Sequence, residues 1–153
     1  MVRQPHRPIL CGLTAALALG CAAPEPSPEA EIRETVHGIL AAIEEGRPEA
    51  VLQHVAFEYR GDDGLGYLEI QSVVLTFLLR EETVGARLED LSIEPASGDD
   101  THRVHARVAF ARGRRLRHSE APSSPDAVEY TFDLVFARHE DSWKAVRGRY
   151  QRL

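Results

Sequence analysis

The second half of the chain alternates, and the first half does not. Val128, Tyr130, Phe132, Leu134 and Phe136 share one parity, while Glu129, Thr131, Asp133, Val135 and Ala137 share the other. That period of two predicts a strand with one buried face. The polar run HEDS interrupts it, and Trp143 opens a further strand containing Ala145 and Val146, so 128–150 reads as a long hairpin. Residues 103–112 repeat the pattern, with Val104, Ala106, Val108 and Phe110 set against His105, Arg107, Ala109 and Ala111. Residues 87–95 give one more strand, with Leu91 and Ile93 on one face, and the SGDD run after it is a turn.

Upstream the period is helical. Ile32, Val36, Ile39, Leu40 and Ile43 recur at helix spacing after Ser27 as N-cap, Pro28 at the first helical position and Glu29 and Glu31 in the first turn. Gly46 is the expected C-terminal stop. A shorter helix starts at Pro48, with Val51, Leu52 and Val55 on one side; residues 57–60 read as a short strand or as that helix's end, and GDDGLG (61–66) is a turn. A third helix over 67–82 carries Ile70, Val73, Val74, Phe77 and Leu78, with Leu75 and Leu79 beyond them. So broad an apolar surface predicts burial on two sides or a contact between copies of the chain. Helices first and an antiparallel meander afterwards make an α+β domain over 29–153, its N-terminal helices packed on a curved antiparallel sheet.

The first 28 residues follow neither pattern. Arg3 and Arg7 precede an apolar run over 9–19, the layout of a signal peptide, and residues 22–28 are small and proline-rich, an extended tether. The tetrapeptide Ala18-Leu19-Gly20-Cys21 resembles the lipobox of bacterial lipoproteins. That resemblance implies removal of residues 1–20, acylation of Cys21 and a membrane-anchored place in the bacterial cell envelope. Ala22 after the cysteine resembles an outer-membrane sorting signal. Cys11 lies in the removed segment, so the mature chain has no pair for an internal disulfide and rests on its core alone. Losing residues 1–20 removes Arg3 and Arg7 and no acid, which takes the net charge from −6 to −8 and argues against a nucleic-acid partner.

Three stretches carry a resemblance to a known family: the helix EIRETVHGILAAIEEGRPEAVLQHV, the helix GLGYLEIQSVVLTFLL and the closing strand WKAVRGRY. Their order resembles the nuclear transport factor 2-like superfamily, also called SnoaL-like or cystatin-like. The resemblance implies a cone of bent sheet wrapped around a long helix, frequently with an internal pocket and frequently dimeric. It fixes no activity, because isomerases, hydrolases, binding domains and scaffolds share that fold. Members similar to ketosteroid isomerase place a tyrosine on the first helix; this first helix has Thr35 and His37 instead.

The candidate pocket groups are therefore Tyr59, Tyr130, Asp133 and His37, with His54 a further histidine in reach. Tyr130 and Asp133 differ by an odd step and belong on opposite faces of their strand. His102 and His105 are three apart on a strand, which separates them too, so they read as solvated strand positions and not as metal ligands. Asp62 and Asp63 lack the acid ladder of a calcium loop. Arg112, Arg114, Arg115 and Arg117 form a basic patch in an acidic domain, able to meet anionic headgroups or an envelope protein, and residues 119–126 (SEAPSSPD) read as a mobile loop. No metal or cofactor is expected. The sequence points to a non-catalytic binding or accessory module for an apolar small ligand, with a small-molecule isomerase or hydrolase and a structural homodimer as the alternatives.

Overall fold

A computed structural model describes residues 26–80, 84–98, 100–113 and 127–153. The N-terminal segment with Cys21, the arginines at 114, 115 and 117 and the loop over 119–126 lie outside those residues.

Helix α1 (Pro28–Glu44) starts and stops where its sequence says. Ser27 is in an extended conformation, and its hydroxyl accepts from the Ala30 amide at 3.3 Å. At the other end Gly46 takes φ +65°, its amide donates to the Ile43 carbonyl at 3.1 Å, and the Arg47 amide donates to Ala42 at 2.9 Å. Those two bonds are the Schellman closure that a left-handed glycine permits. Helix α2 (Pro48–Leu52) follows at once, and α3 (Tyr67–Leu79) begins where the Gly66 amide donates to the Glu69 carboxylate at 3.0 Å.

Five strands form one sheet in the order β1-β5-β4-β3-β2: β1 (Val55–Gly61), β2 (Val84–Pro95), β3 (Thr101–Arg112), β4 (Ala127–His139) and β5 (Ser142–Arg152). The last four are the expected antiparallel meander. Strand β1 resolves the ambiguity over 57–60 in favour of a strand, and it runs parallel to β5, so the sheet is mixed and not purely antiparallel.

Three register shifts bend the sheet and change which parity faces inward. In β2 the pairing passes from Leu88 opposite Val108 to Asp90 opposite Arg107, so Ala86 and Leu88 face the same way as Leu91 and Ile93. In β5 it skips Val146, so Trp143 and Ala145 share a face with Gly148 and Tyr150. The third shift lies between β1 and β5. Helix α1 packs on this inner face against β2 and β5, and α3 packs against α2 and β1. Ile32 and Phe136, both fully buried, meet Val104 and Trp143 in the core between α1 and the sheet.

At the closed end of the sheet α1 is tied to the β4–β5 hairpin by side chains. The Glu31 carboxylate accepts from the Trp143 indole at 2.7 Å and from Arg138 at 2.5 Å, and the guanidinium of Arg138 lies over the Trp143 ring. His102 is here as well, 5 % exposed, its ring edge-on to Trp143 and its Nε2 3.6 Å from Glu29. The expectation of a solvated His102 is corrected: its parity matches Val104 and Ala106, the inward set, and only His105 faces solvent.

Candidate ligand-binding cavity

Because α1 crosses the bent sheet at one end and α3 stands off at the other, a hollow of about 370 Å³ remains between them. Its walls come mainly from residues whose periodicity sent them inward. Helix α1 supplies Val36, Ile39, Leu40 and Ile43; α3 supplies Ile70, Val73, Val74 and Phe77. The paired rows of β3 and β4 form the floor, with Val104 opposite Leu134, Ala106 opposite Phe132 and Val108 opposite Tyr130. Tyr150 closes the row from β5, opposite Phe132. The rings of Phe110, Tyr130, Phe132 and Tyr150 stand at centroid separations of 5.9 to 6.4 Å, tilted or edge-to-face, which is ordinary aromatic packing. A hollow of this volume falls at the lower end of the range for small-molecule sites.

Polar groups in the wall are few, and each is constrained. Tyr59 is buried, and its hydroxyl donates to the Gly148 carbonyl at 3.2 Å. Burial, and then the charges of Asp63 and Asp62, raise its pKa above that of a free phenol, so it stays protonated. His54 lies half-buried between α2 and β1. Burial lowers its pKa below the ordinary imidazole value; the Trp143 backbone pulls the other way, and the Lys144 charge adds to the depression. Its Nε2 sits 3.2 Å from the Gln53 side-chain nitrogen, and its buried Nδ1 has no hydrogen-bond partner of good geometry among the described residues. His54 is therefore a neutral imidazole at neutral pH.

The sequence candidates divide between the two faces. Tyr59 and Tyr130 line the cavity. Asp133 stands on the opposite, outer face, where it accepts from His105 at 2.7 Å and Arg149 at 3.1 Å. The His105 bond first and Arg149 second hold its carboxyl below the usual aspartate range. His37 is exposed on the solvent side of α1, away from the cavity wall, so it is corrected out of the pocket group: Val36 and Ile39 flank it in sequence and take the inward positions. Asp62 pairs with Arg147 at 2.9 Å, and Asp63 accepts from the Leu65 amide at 3.1 Å. Arg112, the described member of the basic patch, is exposed, with its guanidinium 6.0 Å from the centre of the Phe77 ring.

No protein-family model and no curated protein matches the chain. Solved structures do. A protein of Novosphingobium aromaticivorans named "Putative Scytalone Dehydratase" is 10 % identical over 80 % of this chain and 82 % of its own, at a TM-score of 0.63. A nuclear transport factor 2-like protein of unknown function from Pseudomonas putida is 13 % identical over 82 % and 87 %, also at 0.63. Bd1075 of Bdellovibrio bacteriovorus is 11 % identical at 0.62, and there this chain spans 40 % of the other's length. The chain has the nuclear transport factor 2-like, or cystatin-like, fold, and at these identities the likeness reaches no further than the fold.

Proposed function

We propose that this fold serves as a lipid-anchored, non-catalytic module of the bacterial cell envelope that holds an apolar small molecule between α1, α3 and the sheet. The cavity carries the reading: its walls are mainly aliphatic and aromatic side chains, with His54 and Arg149 the ionisable members beside its tyrosines, and Asp133 lies on the far side of the sheet. General acid-base chemistry needs titratable groups converging on one point, whereas here the Tyr59 hydroxyl is spent on a backbone carbonyl.

A neutral probe such as N-phenyl-1-naphthylamine should bind the full chain at one site. Ala106 is buried in the floor, so Ala106→Leu should weaken that binding by about tenfold while leaving stability unchanged or raised by about 0.5–2 kcal/mol, the usual result of filling a void. Undiminished binding in a folded variant would overturn the reading.

Two observations favour an enzyme instead: His54 is neutral in the cavity wall, with one ring nitrogen unpartnered among the described residues, and two solved structures of similar fold are named for dehydratases. The two readings separate on the ligand's fate. A module releases what it bound chemically unchanged after long incubation, as mass spectrometry of the eluted ligand would show, and an altered product would decide for the enzyme.

A further inference from the structure

Helix α3 has two faces, and the chain uses one of them. Ile70, Val74 and Phe77 line the cavity, and Leu78 is buried. On the other face Leu68, Ser72 and Leu79 are exposed, and Leu75 is half-buried yet outside the core. The steps from Leu68 to Ser72, Leu75 and Leu79 are four, three and four, the spacing of a seam along which one helix packs on another. Two charges stand beside the seam: Glu69 in the first turn and Arg80 at the C-cap, where φ −80° and ψ −19° continue the helix. At about 3.6 residues per turn both fall on the same flank of the seam, one at each end.

We propose that this seam joins α3 of one copy of the chain to α3 of a second, antiparallel, about a two-fold axis midway between Ser72 and Leu75. The seam is complementary to itself only when reversed. Reversal sets Leu68 against Leu79 of the other copy and Leu75 against its Ser72, so the same four residues serve both sides, as a two-fold contact requires. It also brings Glu69 to within about 3 Å, along the axis, of the level of the other copy's Arg80, and symmetry repeats the pair. Parallel pairing would set Glu69 beside Glu69 and Arg80 beside Arg80. Ion pairs at such a rim add little affinity, whereas like charges in contact are costly, so this charge pattern fixes the direction. Two helices of 13 residues make a contact at the small end of protein interfaces, which corresponds to a Kd on the order of 10 μM. The inner face of α3 is a wall of the cavity, and the second copy holds that wall from behind.

Disulfide trapping tests the pairing in the full chain carrying Cys11→Ser and Cys21→Ser, which removes both native thiols. Leu68→Cys and Leu79→Cys are introduced separately into that chain; both side chains are exposed, so the fold does not depend on them. Antiparallel pairing holds the two copies of either position about 16 Å apart along the axis, beyond the roughly 7 Å between Cα atoms that a disulfide spans. Mild oxidation well above the expected Kd should therefore leave each variant uncrosslinked by itself and crosslink their mixture. Crosslinking of either variant alone would mean a parallel or indiscriminate contact, and an uncrosslinked mixture would mean that another partner, or none, takes this face; each overturns the proposal. Arg80→Glu in both chains should lower the yield from the mixture about fivefold, and Glu69→Lys added to it should restore the yield, because the swap re-creates the opposite charges. A yield indifferent to the charge reversal, or a loss that the swap does not rescue, overturns the antiparallel register.

Discussion

At the scale of single residues, His54 has the most to say about how this domain responds to its surroundings. A base whose pKa is lowered in the folded state takes up its proton more readily when unfolded, so its contribution to stability is intact above the unfolded value near 6.5 and is lost as pH falls below it. Melting temperature should therefore decline between about pH 7 and pH 5, and the decline should be shallower in His54→Gln, which cannot protonate. Identical pH profiles for the two proteins would show that the burial of His54 has no energetic consequence. Asp133 shares the sign but not the cause: hydrogen bonds favour its charged form, whereas burial disfavours that of His54. The depressed pKa of Asp133 stabilises above the ordinary aspartate range and is lost as pH falls through the folded value, but its side chain is 43 % exposed. Asp133→Asn should cost only about 0.3–1 kcal/mol in a denaturant titration, as surface ion pairs do. A larger loss would mean that the outer face of the sheet is covered in solution.

At the scale of elements, Gly148 fixes how β4 and β5 lie together. A Cβ built there would meet the Leu134 side chain and come to 2.7 Å from the Asp133 carbonyl. The Gly148 carbonyl also receives both the Tyr59 hydroxyl and the Asp62 amide. Gly148→Ala should cost about 1–3 kcal/mol by overpacking, and a neutral result in thermal unfolding would contradict the close approach. This strand also shows what the sequence could and could not disclose. Strands β3 and β4 were legible throughout, because no bulge breaks β3 against β4 and every inward residue keeps its parity: Val104, Ala106, Val108 and Phe110 against Leu134, Phe132, Tyr130 and Val128. In β2 and β5 a single extra residue flips the parity, so Ala86 and Leu88 were missed beside Leu91 and Ile93, and Tyr150 was missed as a cavity residue. His102 was taken for a surface histidine because its type outweighed its parity. His54 belongs to no periodic run, being the residue at which α2 gives way to β1.

At the scale of the whole molecule, the breadth of α3 is only partly used within one chain. Leu68 and Leu79 remain 66 % and 74 % exposed, so the burial on two sides that the sequence predicts for this helix is not met within one chain. No described helix is long and apolar enough to cross a membrane, so under the proposed anchoring the membrane is held through Cys21. Cys21→Ser should move the protein from the membrane fraction to the soluble fraction and abolish labelling by radioactive palmitate; a variant that still sediments with membranes would overturn the anchor. The placement of β1 has a consequence of another sort, in time. Strands β2 to β5 follow one another in sequence, so each pairing of the meander closes over fewer residues than the β1–β5 pairing does. The Tyr59–Gly148 bond joins residues 89 apart, and the β1–β5 pair is parallel, so its loop-closure entropy is met only after the meander exists. Strand β1 is thus the expected latecomer of folding. A chain in which only the meander has formed would hold four of the five strands, with Tyr59 and His54 missing from the wall and the cavity open along one side.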